Sequence, residues 1–180
     1  MDVDGNSSKE RKVSYDLGKD GISGNRYGLC CPNSMGYRVF LSTQIKEFCK
    51  NYNFEGVFFD MTFWPMVCYC DSCKSKYAKE VGEQIPEIVN WNNKSWKKFQ
   101  KKREEWINDF ANFVTNELKM NKPSASVEHQ NAPSVGGCWV KGVNEGISKA
   151  SDYVGGDLYG GFIEQSFVCK FYYGLTKNQP

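Results

Sequence analysis

Three closely spaced cysteines form the most specific chemical pattern in the chain: Cys68, Cys70 and Cys73. The C-x-C-x-x-C spacing favours thiolate ligation of zinc, and a tetrahedral structural site needs a fourth soft ligand. Cys30 or Cys31 is the natural candidate, because both lie in the turn before a predicted helix, and Cys138 is a further one. A site closed by four cysteines leaves no open position for water, so the predicted zinc is structural. The alternative is a set of free thiols.

A second chemical feature is a carboxylate that directly follows a short apolar run. Val57–Phe59 is typical of a buried parallel strand, and Asp60 comes next. A charge in such apolar surroundings is costly to bury without a partner or a catalytic purpose. Glu128 ends a second predicted strand, and two carboxylates at neighbouring strand ends could flank a glycosidic bond as nucleophile and general acid/base. The alternatives are a solvated loop or capping carboxylate for Asp60 and a hydrogen-bonded core side chain for Glu128.

Four further residues are candidates for binding a substrate: Trp64, His129, Asp157 and Tyr159. Trp64 could stack on the face of a sugar, or it could simply pack over the core. His129 is the only histidine, which gives little support to a Ser-His-Asp triad and makes a structural role the stronger interpretation. Asp157, in the segment GGDLYGG with Tyr159, could bind a substrate hydroxyl or replace Glu128 as the second acid. A turn aspartate among glycines is the alternative.

The elements that must position these residues alternate between helices and strands. Apolar periodicity predicts helices over 37–52, 74–81, 96–120 and 162–173, with a helical stretch over 140–148. Short apolar runs predict strands over 57–59, 124–128 and 151–154, and each strand ends on or near an acid. This order predicts an α/β fold with a parallel sheet.

The same order suggests a (β/α)8 barrel, whose strand C-termini form the active face. Three strands cannot close a barrel, so the expectation is a partial TIM barrel containing its middle strands and helices only. We expect one domain over residues 1–180, with residues 1–28 as a loop-rich lead-in. Unpaired sheet edges would favour association, and a homo-oligomer of the full-length protein is an expected possibility.

The net charge and the sequence motifs limit the classes of partner that this chain is expected to bind. The net charge of +2 is too weak for a nucleic-acid-binding surface, and the chain has neither a GxxxxGK[ST] nor a GxGxxG motif. No stretch approaches the ~20 apolar residues of a membrane span, and the N-terminus lacks the apolar region of a signal peptide. These features predict a cytoplasmic protein without membrane or nucleic-acid partners.

The motifs around the cysteines resemble a known family. The segment CPNS at residues 31–34, followed by CYCxxC at 68–73, is similar to the middle of glycoside hydrolase family 42 β-galactosidases. In that family the cysteine of CPNS and those of CYCxxC bind one zinc, so the resemblance implies Cys31 as the fourth ligand. The segment GVFFDMTFWPMVCYC and the following helix resemble hypothetical glycosyl hydrolases related to that family and to α-L-fucosidases of families 151 and 29. The likeness runs from about Asp2 to Gly161.

One departure from family 42 bears on specificity. That family has an Asn-Glu pair where this chain has Phe59-Asp60, and an aspartate there is similar to the fucosidase nucleophile. The resemblance therefore implies Asp60 as nucleophile, while Glu128 as acid/base is inferred from strand order. We expect a fragment of a retaining glycoside hydrolase, α-L-fucosidase-like ahead of β-galactosidase-like, that acts on a carbohydrate and has little activity in isolation. The alternative is a non-catalytic barrel remnant or carbohydrate-binding module with a zinc knot.

Overall fold

In a computed structural model, the described part of the chain comprises Gly5 and residues 30–64, 66–130 and 139–175. It contains four α-helices and two strands: α1 (Met35–Asn51), β1 (Gly56–Phe59), α2 (Asp71–Val81), α3 (Lys94–Asn121), β2 (Ser126–His129) and α4 (Phe162–Leu175). Two 3-10 helices, Trp139–Lys141 and Glu145–Ala150, lie between β2 and α4. Apart from Gly5, the predicted lead-in 1–28 lies outside the described residues, and so do residues 131–138. None of the described helices is both long and apolar enough to cross a membrane.

The helices begin and end where local chemistry requires. Ser34 caps α1, and its side chain accepts a hydrogen bond from the Tyr37 N–H. Gly82 ends α2 with φ at 74°, a left-handed conformation that glycine adopts at little cost. Asn93 caps α3 by accepting from the Ser95 N–H. The four helices predicted from periodicity are therefore confirmed, with small shifts at their ends.

The long helix α3 carries the core. Its buried face holds aromatic and aliphatic side chains at helical spacing, and five of them are fully buried: Trp96, Phe99, Ile107, Ala111 and Leu118. Helix α1 packs against α3, where Tyr37 stacks on Phe110 with ring centroids 5.9 Å apart. The same core cluster includes Cys68, in the loop before α2, and Cys73, in the first turn of α2. The metal-binding candidates are thus attached to the best-packed part of the molecule.

Strands β1 and β2 pair in parallel, with Phe58 opposite Glu128 and Phe59 opposite His129. Phe59 and His129 face the core and stack with centroids 5.2 Å apart. Phe58, on the other face, is 45% exposed. The expectation that β1 is covered on both faces is therefore wrong for the described residues, because only one face of the pair is packed.

The predicted partial TIM barrel is also wrong, because the described residues form only a two-stranded sheet within a mainly helical structure. The predicted third strand, 151–154, does not form. The N–H groups of Val127 and His129 donate to the side chains of Asp152 (2.8 Å) and Ser151 (3.2 Å) instead of to a neighbouring strand's carbonyls. Side-chain oxygens thus replace part of a β-ladder. One backbone hydrogen bond, from the Asp152 N–H to the Val127 carbonyl (2.8 Å), remains, and among the described residues a single parallel bridge, Gln130 with Gly155, continues the sheet.

Candidate metal centre and strand-end carboxylates

Four cysteines from two separate segments meet at one point: Cys31, Cys68, Cys70 and Cys73. Their Sγ atoms all lie within 4.8 Å of one another, and those of Cys31 and Cys73 are 3.4 Å apart. Tetrahedral zinc with Zn–S bonds of ~2.3 Å separates its sulfurs by ~3.8 Å, so the cluster has the dimensions of such a site. All four cysteines are free of disulfides. Together they could hold a metal ion.

Local backbone structure positions three of the four sulfurs. Cys31 lies in the turn before α1, which is closed by a hydrogen bond from the Ser34 N–H to the Cys31 carbonyl (2.9 Å). Cys70 is the N-cap residue of α2, and Cys73 lies in the first turn of that helix. The positive end of the helix dipole therefore favours thiolates at both positions. Cys30, the neighbour of Cys31, is exposed and takes no part in the cluster, while Cys138 lies outside the described residues.

Asn33 adds hydrogen bonds to two of the sulfurs. Its backbone N–H donates to Cys31 Sγ and its side-chain amide to Cys73 Sγ, both at 3.4 Å. Asn33 is 8% exposed, and its Oδ1 atom has no hydrogen-bond partner. N–H donors of this kind orient thiolate ligands and hold them in place. The amide is therefore positioned to support the ligands of this candidate metal centre.

The four thiols exchange hydrogen bonds, so their protonation is coupled. The hydrogen bond from Cys31 lowers the pKa of Cys68 to about 6 and also lowers the pKa of Cys70. In return, the hydrogen bond with Cys68 raises the pKa of Cys31, and the one with Cys31 raises the pKa of Cys73. The cluster thus favours partial deprotonation on its own, and a bound metal would displace the remaining protons.

The predicted catalytic acids lie at the carboxyl ends of the paired strands. Asp60 follows β1 directly and is exposed, and the next residue, Met61, has a left-handed backbone with φ at 56°. Glu128 lies within β2 and is half-buried, and this burial raises the pKa of its carboxyl group. The register sets Glu128 opposite Phe58, two residues before Asp60. Both carboxylates therefore belong to one end of the sheet.

Gln130 links three parts of this end. Its Oε1 atom accepts from the Met61 N–H (2.7 Å), and its Nε2 donates to Asp157 Oδ2 (2.8 Å). The Tyr159 hydroxyl also donates to Asp157 Oδ2 (2.9 Å), so the two predicted substrate-binding residues of this segment lie together on the surface. A side chain at Gly155 would collide with the Glu128 carboxylate. Glycine is required there for Glu128 to keep its place.

The other two predicted substrate-binding residues, Trp64 and His129, are each 1% exposed. The Trp64 indole donates to the Arg103 carbonyl (2.9 Å). His129 Nδ1 is 3.0 Å from Thr62 Oγ1, and Nε2 is 2.8 Å from Thr115 Oγ1. Neither side chain presents a face to a ligand. Both fit structural roles, which the sequence favoured for His129 and left open for Trp64.

Sequence reasoning missed three residues of these sites: Asn33, Arg103 and Gln130. Arg103 offered a signal, because it is a charged residue at a position of the apolar stripe of α3. Asn33 lies between Cys31 and the cap of α1 but has no type-specific signature. Gln130 follows the predicted strand end and shows its role only through the register.

No family model matches the chain, and no curated protein matches its sequence. The resemblance to glycoside hydrolases therefore stays a prediction from the sequence motifs.

Proposed function

We infer that the chain belongs to a retaining glycoside hydrolase in which a structural zinc ion braces the loop after the catalytic aspartate. The observation that supports this most is the placing of Asp60 and Glu128 at one end of a parallel strand pair. From the strand spacing and rise, their Cα atoms lie roughly 8 Å apart, which lets the two side chains reach the ~5–5.5 Å of a retaining pair.

The two carboxylates differ in the way that this chemistry requires. Asp60 is exposed and available to attack an anomeric carbon. Glu128 is half-buried with a raised pKa, so it holds a proton more readily and suits the acid/base that first protonates the leaving group. Asp157 and Tyr159 lie beside them, linked through Gln130, and are the groups that would bind sugar hydroxyls.

The substrate class proposed is a small glycan, with an α-L-fucoside ahead of a β-galactoside. This order follows from the resemblance of Phe59-Asp60 to the fucosidase nucleophile segment. Turnover of the two 4-nitrophenyl glycosides by the full-length protein tests it. Asp60→Asn should lower kcat by at least about 10³-fold, because a nucleophile has no substitute in the first step. Asp109→Asn removes an exposed acid from α3 and serves as the matched control.

Added azide separates the roles. In Asp60→Gly, azide can enter the space left by the missing carboxylate and attack the anomeric carbon, so it should restore turnover and give a glycosyl azide of inverted configuration. Glu128→Gln should instead remove the basic limb of the pH profile and spare substrates with good leaving groups. Wild-type activity in Asp60→Asn without azide would exclude Asp60 as nucleophile. Sugar binding by wild type without any hydrolysis would favour the carbohydrate-binding alternative.

The proposed metal is zinc, held by Cys31 and the three cysteines of the C-x-C-x-x-C motif. Four thiolates close a tetrahedral site, so the ion has a structural role. Purified protein should contain about one zinc per chain by mass spectrometry. Cys31→Ser should abolish retention, whereas Cys30→Ser changes an exposed neighbour and should keep it. Equal zinc content in the two variants would contradict this ligand set.

A further inference from the structure

Arg103 is a buried cation in the middle of the apolar face of α3. It is 1% exposed and lies between Phe99 and Trp106 along the buried stripe of the helix. Arginine is almost never fully buried unless a counter-charge accompanies it, because its desolvation must be compensated. The side chain therefore needs a partner that is negatively charged.

The neutral contacts of Arg103 do not supply that charge. Its guanidinium donates to Gln100 Oε1 (2.6 Å) and to the carbonyls of Met66 (3.3 Å) and Val140. The rings of two tryptophans lie 5.7 Å and 5.9 Å from its central carbon: Trp64 and Trp139. These contacts orient the group, but carbonyls and aromatic faces offset only part of a full charge.

Two observations show that the described carboxylates do not neutralise the charge of Arg103 directly. Its Nε–H is buried and has no hydrogen-bond partner. Among the described residues, no carboxylate forms an ion pair with it. The Met66 carbonyl that it contacts is two residues before Cys68, which directs the guanidinium toward the cysteine-bearing loop. Burial lowers the pKa of Arg103 to about 10, and the charges of Cys73, Tyr69, Cys68 and Glu104 oppose that shift, in this order of size.

We propose that Arg103 is the buried counter-charge of the four-cysteine metal centre. This rests on the proposed zinc site, since Zn²⁺ with four thiolates carries a net charge of −2. The guanidinium offsets part of that charge within the same low-dielectric core, where an opposite charge acts strongly. Arg103 is thus a positioning residue: it touches the loop that carries the ligands and stabilises the loaded form electrostatically.

The proposal predicts coupling between Arg103 and zinc. Without its charge, the dianionic centre is less favourable, and zinc affinity should fall by about 10- to 100-fold, the usual effect of losing an outer-shell partner. By reciprocity, Arg103→Met should destabilise the zinc-loaded protein more than the zinc-free protein. A role limited to hydrogen bonding would leave the two forms equally affected.

The test is a competitive chelator titration of zinc on wild type, Arg103→Met, Arg103→Lys and the control Lys101→Met. Lys101 is an exposed cation on the same helix, so its loss should change affinity less than twofold. Arg103→Lys keeps the charge and should recover most of the affinity lost in Arg103→Met. Should Arg103→Met not fold, Arg103→Gln replaces it, because an amide can still donate to a carbonyl but carries no charge.

The outcomes separate this inference from the metal centre itself. Unchanged zinc affinity in Arg103→Met or Arg103→Gln would overturn the counter-charge role while leaving the zinc site intact. Equal weakening in the lysine and neutral variants would do the same, because charge would then be irrelevant. A wild-type chain that binds no zinc would instead overturn the proposed centre.

Discussion

The buried imidazole of His129 makes the stability of this protein depend on pH in a defined direction. Burial lowers its pKa from 6.5 to about 4, despite an opposing hydrogen bond to the backbone of Ala111. The Thr115 hydroxyl donates to the Ala150 carbonyl (2.7 Å), so it accepts from His129 Nε2–H. Nδ1 is left to accept from the Thr62 hydroxyl, which lies closer to it (3.0 Å) than to its other acceptor, the Phe59 carbonyl (3.3 Å). The neutral ring is therefore satisfied at both nitrogens.

The sign follows from which state binds the proton first. As the pH falls below 6.5, the unfolded chain takes up a proton that the folded chain refuses until about pH 4. The stability that neutral His129 contributes is therefore fully present above pH 6.5, the pKa of the unfolded state, and is lost as the pH falls from 6.5 to about 4. The difference of 2.5 pKa units corresponds to about 3 kcal/mol in full, and to about 2.5 kcal/mol between roughly pH 7.5 and pH 4.5.

Urea unfolding followed by tryptophan fluorescence measures this loss, with wild type and His129→Gln compared at each pH and the same zinc concentration. Glutamine keeps a neutral donor and acceptor but has no group that titrates in this range. The variant is less stable overall because it loses the packed ring. The wild-type free energy of unfolding should fall by about 2.5 kcal/mol more than that of the variant over this range. Subtracting the two curves removes proton effects at the cysteines, which both proteins share. Parallel curves would refute the neutral, buried state assigned to His129.

Two further predictions concern packing around the sites. Asp152→Asn should cost about 1 kcal/mol by urea unfolding, because its carboxylate accepts from Lys119 and the Val127 N–H at a partly exposed position. Those bonds lower the pKa of Asp152 despite its burial, so the difference should vanish in acid as that group protonates, and a difference that persists would count against the ion pair. Gly142→Ala should cost about 1–3 kcal/mol more than Gly82→Ala in thermal unfolding. Both glycines have positive φ, but only at Gly142 would a Cβ meet Trp64, at 2.7 Å; equal costs would show that the contact relaxes freely.

The helices could be predicted because their signals are local. Apolar spacing and the capping residues Ser34, Gly82 and Asn93 fix their limits without reference to the rest of the chain. Local signals could not show whether the predicted third strand forms. Residues 151–154 have a strand-like pattern, but Ser151 and Asp152 satisfy β2 with their side chains, and only the folded structure shows that substitution.

In the candidate site, too, the sequence predicted the local features and could not predict those that depend on the folded structure. Spacing predicted three metal ligands but could not choose between Cys30 and Cys31, whereas the structure turns Cys31 toward the cluster and leaves Cys30 exposed. Residue type left both sugar stacking and core packing open for Trp64, and its burial places it in the core. Both outcomes depend on side-chain direction, which sequence periodicity does not encode for irregular loops.

The proposed four-thiolate zinc centre, which is the central claim made for this protein, is tested most directly by X-ray absorption at the zinc edge of the purified protein. It should show a single shell of four sulfurs at about 2.3 Å, without nitrogen or oxygen ligands. Cys30→Ser should give the same spectrum, since that residue lies outside the cluster. A mixed shell with nitrogen or oxygen, or a purified protein without zinc, would contradict the centre formed by Cys31, Cys68, Cys70 and Cys73.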